Sequence, residues 1–187
     1  MRLLFSATVV AVLAAATPAQ DKKGTQVEWG GMKSTTPADW KEETPSNKMR
    51  LAQFKLPKAE GDPEDGELAL FRSPGGGSIQ DNLARQEKKF EIPAGKKPED
   101  VIKTEKIKVG TSEAVYQDIH GTWLKRFPPN DPNAKITKVP EYRQLYVIFE
   151  GKDKEGETIV YSMTLLGPAK TIEKHRKAFD EWVKNFK

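Results

Sequence analysis

No cysteine occurs in the 187 residues, and that one absence removes a disulfide framework, thiolate metal ligands and a thiol nucleophile together. It also removes the site of a lipoprotein anchor. Histidine is almost as scarce, with His120 and His175 alone. Neither sits in a His-x-x-x-His spacing, so a zinc centre would need both rings and distant carboxylates to converge, and no metal is expected. Charge of one sign is lacking too. Against 31 Lys and Arg stand 27 Asp and Glu, giving a net charge of +4 and a pI of about 9.1. That balance is expected of a solvated mixed-charge surface, not of a dedicated polyanion binder.

A long apolar run is missing except at the start, where residues 3–16 follow a short positive beginning and lead into Thr17-Pro18-Ala19-Gln20. Such a run is short for a bilayer span and has the small residues of a cleavage site, so residues 1–19 are expected to be a signal peptide. No membrane span is expected after cleavage. Residues 20–26 are expected to form a disordered tether and residues 27–187 a single domain. Roughly 167 residues then remain, enough for one proper core. An exported location follows, periplasmic or extracellular, where a chain without disulfides is stable through packing alone.

The segment from Ser73 to Gln86 is where the apolar period changes. Short strand-like bursts precede it and helical spacing follows. Gly75-Gly76-Gly77 allows a sharp exit from a sheet. Ser78 reads as an N-cap with Asp81 three residues on, and Ile79, Leu83 and Phe90 fall on one helical stripe with Gln86 in its middle. Upstream, residues 27–36 have modest strand character, residues 49–56 form a better strand, and Leu68-Ala69-Leu70-Phe71 reads as its inner antiparallel partner. Downstream, residues 104–109, 113–120, 142–149 and 158–166 read as strands, the last two joined as a hairpin through residues 151–156. Three prolines between Phe127 and Asn133 predict an irregular exposed excursion. The closing segment places Ile172, Phe179, Trp182, Val183 and Phe186 on one helical face. Together these predict an α+β domain, a largely antiparallel sheet of about seven strands packed with two main helices.

Thr36-Pro37-Ala38-Asp39-Trp40, Met49-Arg50-Leu51-Ala52-Gln53-Phe54, the glycine turn into Asn82-Leu83-Ala84-Arg85, and Leu165-Leu166-Gly167-Pro168 before the last helix resemble a group of uncharacterised secreted bacterial proteins. Their element order is similar to that of the Mog1/PsbP-like α/β/α sandwich. The resemblance implies a non-catalytic accessory role exerted by docking on a partner. It transfers no catalytic residue and no cofactor.

Several polar sets invite chemistry. Asn82 and Gln86 stand one helical turn apart beside a core stripe, with Arg85 between them. They either bond to backbone at the sheet edge or line a binding pocket, because a buried amide left unpaired costs about 1–3 kcal/mol. The glycine turn before a helix suits an anion, but it lacks the lysine of a phosphate loop, and a structural turn is expected. Asp62, Glu64, Asp65 and Glu67 crowd one loop without calcium-loop spacing, so a solvated hairpin tip is expected. Lys88, Lys89, Lys96, Lys97, Lys103, Lys106 and Lys108 form a basic stretch without interleaved aromatic residues, which argues against nucleic acid. The sequence therefore predicts an exported, non-enzymatic binding or accessory protein without a cofactor, its partner an unknown protein or envelope component. Two alternatives remain open: a hydrolase assembled from scattered residues such as Ser78 and His120, and an electrostatic binder of an anionic envelope component.

Overall fold

The computed structural model describes residues 23–129, 131 and 133–187. The expected signal peptide and residues 20–22 of the tether lie outside them. The first strands, β1 (Gln26–Trp29) and β2 (Met32–Thr35), form an antiparallel hairpin. Its turn uses Gly30 and Gly31 at φ of 61° and 78°, the left-handed pair that a tight hairpin requires. Residues 23–26 of the expected tether are described, and Gln26 belongs to β1. Thr25 accepts from the Thr36 amide at 2.9 Å and donates to the Thr36 hydroxyl at 2.9 Å.

The chain continues through β3 (Lys41–Glu43), β4 (Arg50–Leu56), β5 (Gly66–Pro74), α1 (Ile79–Glu87) and β6 (Phe90–Glu91). It then passes through α2 (Pro98–Val101), β7 (Ile102–Val109), β8 (Ser112–Phe127), β9 (Lys135–Lys152), β10 (Thr158–Pro168) and α3 (Ala169–Lys184). Eight strands build one sheet in the order β3-β4-β5-β10-β9-β8-β6, with β7 also on β8. Every pairing within it is antiparallel. The excess over the seven strands and two helices expected comes from the division of residues 27–36 into β1 and β2 and from β3, β6 and α2, whose runs of two to four residues carry no period of their own.

Strand alternation sends two sets of side chains to opposite faces. Leu145, Val147 and Phe149 of β9 join Met163 and Leu165 of β10 beneath α3, while Tyr146, Ile148 and Val160 meet Leu83 of α1. Both faces of β9 are covered, so residues 142–149 are buried without a break. The α3 side is the thicker. Trp182 packs 4.9 Å from Phe186 and 5.4 Å from Trp40, and Trp29 meets Phe149 edge-on at 4.7 Å. Reciprocal backbone bonds between Lys33 and Lys187, at 2.8 and 3.1 Å, tie the chain end to the β1–β2 hairpin.

Ser78 caps α1 as expected, its hydroxyl oxygen accepting from the Asp81 amide at 3.0 Å and its proton going to the Asp81 carboxylate at 2.7 Å. Phe90 differs from expectation. It leaves the helical stripe for β6, pairs with Trp123 and is buried with Ile119 and Tyr142. The described residues between Phe127 and Lys135 are irregular, as expected of the proline segment, while regular pairing continues to Phe127 and resumes at Lys135. The hairpin bends where the β8–β9 register shifts between Gly121 and Trp123, and there Glu141 takes a φ of 56°.

Candidate functional site

Two of the expected trio, Asn82 and Arg85, meet at the glycine turn. Asn82 donates through Nδ2 to the carbonyls of Gly76 at 3.0 Å and Ser78 at 2.8 Å, and Arg85 donates to Asn82 Oδ1 at 2.5 Å. Asn82 therefore clips the strand-to-helix junction. Gln86 turns the other way, onto the sheet. Its buried amide oxygen accepts from Lys89 Nζ at 2.6 Å and from Gln144 Nε2 at 3.3 Å. Burial, with Arg85 nearby, holds the Lys89 ammonium below the usual lysine range. The neighbouring cleft, about 280 Å³, takes Ala84, Glu87 and Lys88 from this helix instead.

The acidic loop joins the antiparallel pair β4 and β5 and stays largely exposed, as expected of a hairpin tip, yet each of its carboxylates also accepts from the fold. Asp62 accepts from the amide and hydroxyl of Thr171 at 2.8 and 2.6 Å, in the first turn of α3. Tyr142 donates its hydroxyl to Glu64, the Lys58 amide donates to Asp65 at 3.0 Å, and Glu67 pairs with Arg50 at 2.9 Å. Among the described residues no cluster suited to a metal forms.

A charged group that the sequence did not flag lies between the sheet and α3. Arg143, 2 % exposed, donates two bonds to Asp118 at 2.8 and 2.6 Å and a third to Glu173 of α3. Burial pushes the Asp118 carboxyl up, yet hydrogen bonds from Arg143 and His120 outweigh it and bring its pKa down to about 2. Tyr116 donates to Asp180 at 3.0 Å, and burial first, then that carboxylate, pushes its phenol up. A cleft of about 470 Å³ runs past Asp118, His120, Arg143 and Arg176, side chains that each already have a partner. Of the other scattered candidates, Ser78 is committed to its cap and His175 lies on the Pro57 carbonyl at 2.8 Å. No hydrogen bond joins Ser78 to His120 among the described residues.

The β8–β9 hairpin supplies the surface that the fold leaves unused. Pairing of β10 to β9 begins at Tyr142 and β6 touches β8 at Thr122 and Trp123, so residues 125–127 and 135–137 form a two-stranded arm. At its base Trp123 stacks on Tyr142 at 5.2 Å with Lys125 Nζ 5.4 Å from the indole centre. There a cleft of about 550 Å³ opens between the arm and the acidic loop. Farther out, Phe127 is 74 % exposed and Ile136 43 %. Lys125, Arg126 and Lys135 surround them and form no ion pair among the described residues, whereas Lys138 pairs with Glu91 at 2.5 Å. Trp-Leu-Lys-Arg-Phe mixes apolar and basic residues on both faces of a strand, and that mixture was the available sequence signal. The prolines after it drew attention to a loop and away from the strands that carry it.

No protein-family model and no curated protein matches the sequence. Among solved structures the chain is similar to LpqN of Mycobacterium tuberculosis, described as involved in cell envelope biogenesis, at 11 % identity and a TM-score of 0.50, covering 90 % of this chain and 86 % of that one. It also aligns with cyanobacterial PsbP (CyanoP) from Synechocystis sp. PCC 6803, at 13 % identity and a TM-score of 0.45, over 94 % and 98 % of the two chains. A Pseudomonas aeruginosa protein of unknown function, a putative regulator, aligns at 15 % identity and a TM-score of 0.40 over 86 % and 94 %. The molecule has the α+β architecture expected of a PsbP-like sandwich, and its likeness to LpqN is one of fold.

Proposed function

We propose that the chain is an exported accessory protein that acts by docking, without turnover of a substrate, and that the β8–β9 arm is its docking element. One observation carries this. Large apolar side chains and cations without an ion pair among the described residues coincide on the arm, while the buried charges of the sheet, Arg143 and Asp118, are bonded to one another and to Glu173 of α3. An exposed apolar side chain within a charged rim is what a contact surface requires. Met49 and Leu51 at the start of β4 are exposed too, but the cation between them, Arg50, is occupied by Glu67 and Gln53. The description of LpqN as an envelope-biogenesis protein supports a search for the partner in the envelope. Fold alone does not choose it.

Fractionation of bacteria producing the full chain tests the reading. The wild type is expected with the exported, envelope-associated material. A double variant, Phe127→Ser with Ile136→Ser, is expected to keep its fold and move to the soluble exported fraction. Identical distribution of the two proteins would sink the proposal.

A further inference from the structure

We propose that the surface on which the arm docks is an anionic lipid bilayer, with the tip seated in the headgroup layer. This names the partner of the site above and rests on that reading.

The arm's two faces decide between a bilayer and a groove. Pairing of Lys125 with Thr137 and Phe127 with Lys135 puts one exposed ring and two lysines on one face. Pairing of Arg126 with Ile136 puts an aliphatic side chain and a guanidinium on the other. A protein groove or a flat polymer reads one face of a ribbon. A medium that surrounds the tip meets both, and the headgroup layer of a bilayer is such a medium.

Reach and backbone chemistry agree with this. Three residue pairs at about 3.3 Å per residue give an arm of about 10 Å, the depth to which interfacial elements enter a bilayer. Pro128 and Pro129 follow Phe127 directly and have no N–H to desolvate, which lowers the cost of taking the tip out of bulk water. Long cationic stems keep their charge among lipid phosphates while the carbon chains lie in the apolar boundary. Lys125, Arg126 and Lys135 stand against one tip carboxylate, Asp131, which already accepts from the Asn133 amide at 2.8 Å. Charge complementarity therefore selects an anionic leaflet over a zwitterionic one.

Sedimentation of the full chain with vesicles of phosphatidylcholine, with and without phosphatidylglycerol, tests this. The apolar N-terminal run is then common to every variant. Roughly tenfold or greater preference for the anionic vesicles is expected, falling as salt is added. Lys125→Gln, Arg126→Gln and Lys135→Gln together should abolish that preference. Phe127→Ser with Ile136→Ser should weaken anionic binding about tenfold and leave the salt dependence in place. Equal pelleting of all variants would assign binding elsewhere and overturn the proposal. Binding indifferent to Phe127 but competed by heparin would overturn it in favour of a soluble anionic polymer. If vesicles fail to bind while envelope retention still depends on Phe127, the lipid proposal falls and the docking reading stands. If retention is indifferent as well, both fall.

Discussion

The α3 side of the sheet and the β8–β9 arm are built from the same residue types and use them oppositely. Under α3, Trp29, Trp182, Phe179 and Phe186 are within 2 % of complete burial and touch one another. On the arm, Phe127 and Ile136 face outward with cations beside them. Aromatic content says nothing about which use is made of a ring. Neighbouring elements decide it, because a strand face becomes core when a helix lies on it and stays surface when nothing does.

The sharpest break of that contrast is Phe179→Ala. It should lower stability by about 3–5 kcal/mol, seen as an earlier denaturant midpoint, because the cavity lies among side chains that cannot collapse into it. Asp118→Asn comes next, at about 3 kcal/mol, since Arg143 would keep its burial and lose its bidentate partner. Indifference of the denaturation midpoint to this change would show that Glu173 alone satisfies the guanidinium. Acid probes the same pair more gently. The Asp118 pKa is depressed from 3.8 to about 2 in the folded chain, so its contribution is fully present above about pH 4 and fades as pH falls through 2. The shift corresponds to about 2 kcal/mol, and Asp118→Asn should flatten that part of the stability profile. Phe127→Ser marks the other pole and should change stability by no more than about 0.5 kcal/mol. A loss comparable to that of Phe179→Ala would mean that the arm is packed after all.

Much of the architecture was legible because it rests on local period. The helical face of Ile172, Phe179, Trp182 and Val183, the Ser78 cap and the β9–β10 hairpin each follow from spacing and turn residues within a few positions. Phe90 misled because a stripe extrapolates past a helix end that only the backbone turn at Lys88 and Lys89 sets. The trio Asn82, Arg85 and Gln86 was legible as a polar set beside a core stripe. Which way each side chain turns, two to the glycine turn and one to the sheet, depends on residues far along the chain such as Gln144. Arg143 had a faint signal, one arginine within a run otherwise buried as strand core, and its partner Asp118 is 25 positions away.

The sequence by itself determined the types of the longer elements, the antiparallel character and most of the apolar faces, since these depend on alternation, helical spacing and turn chemistry along a short stretch of chain. Tertiary structure alone decided which faces were covered. It paired Arg143 with Asp118, spent the acidic loop on α3 and its neighbours, and left the end of β8 and β9 without a third strand. The physical reason is that burial and charge pairing belong to contacts between distant segments, and no window of sequence contains both partners.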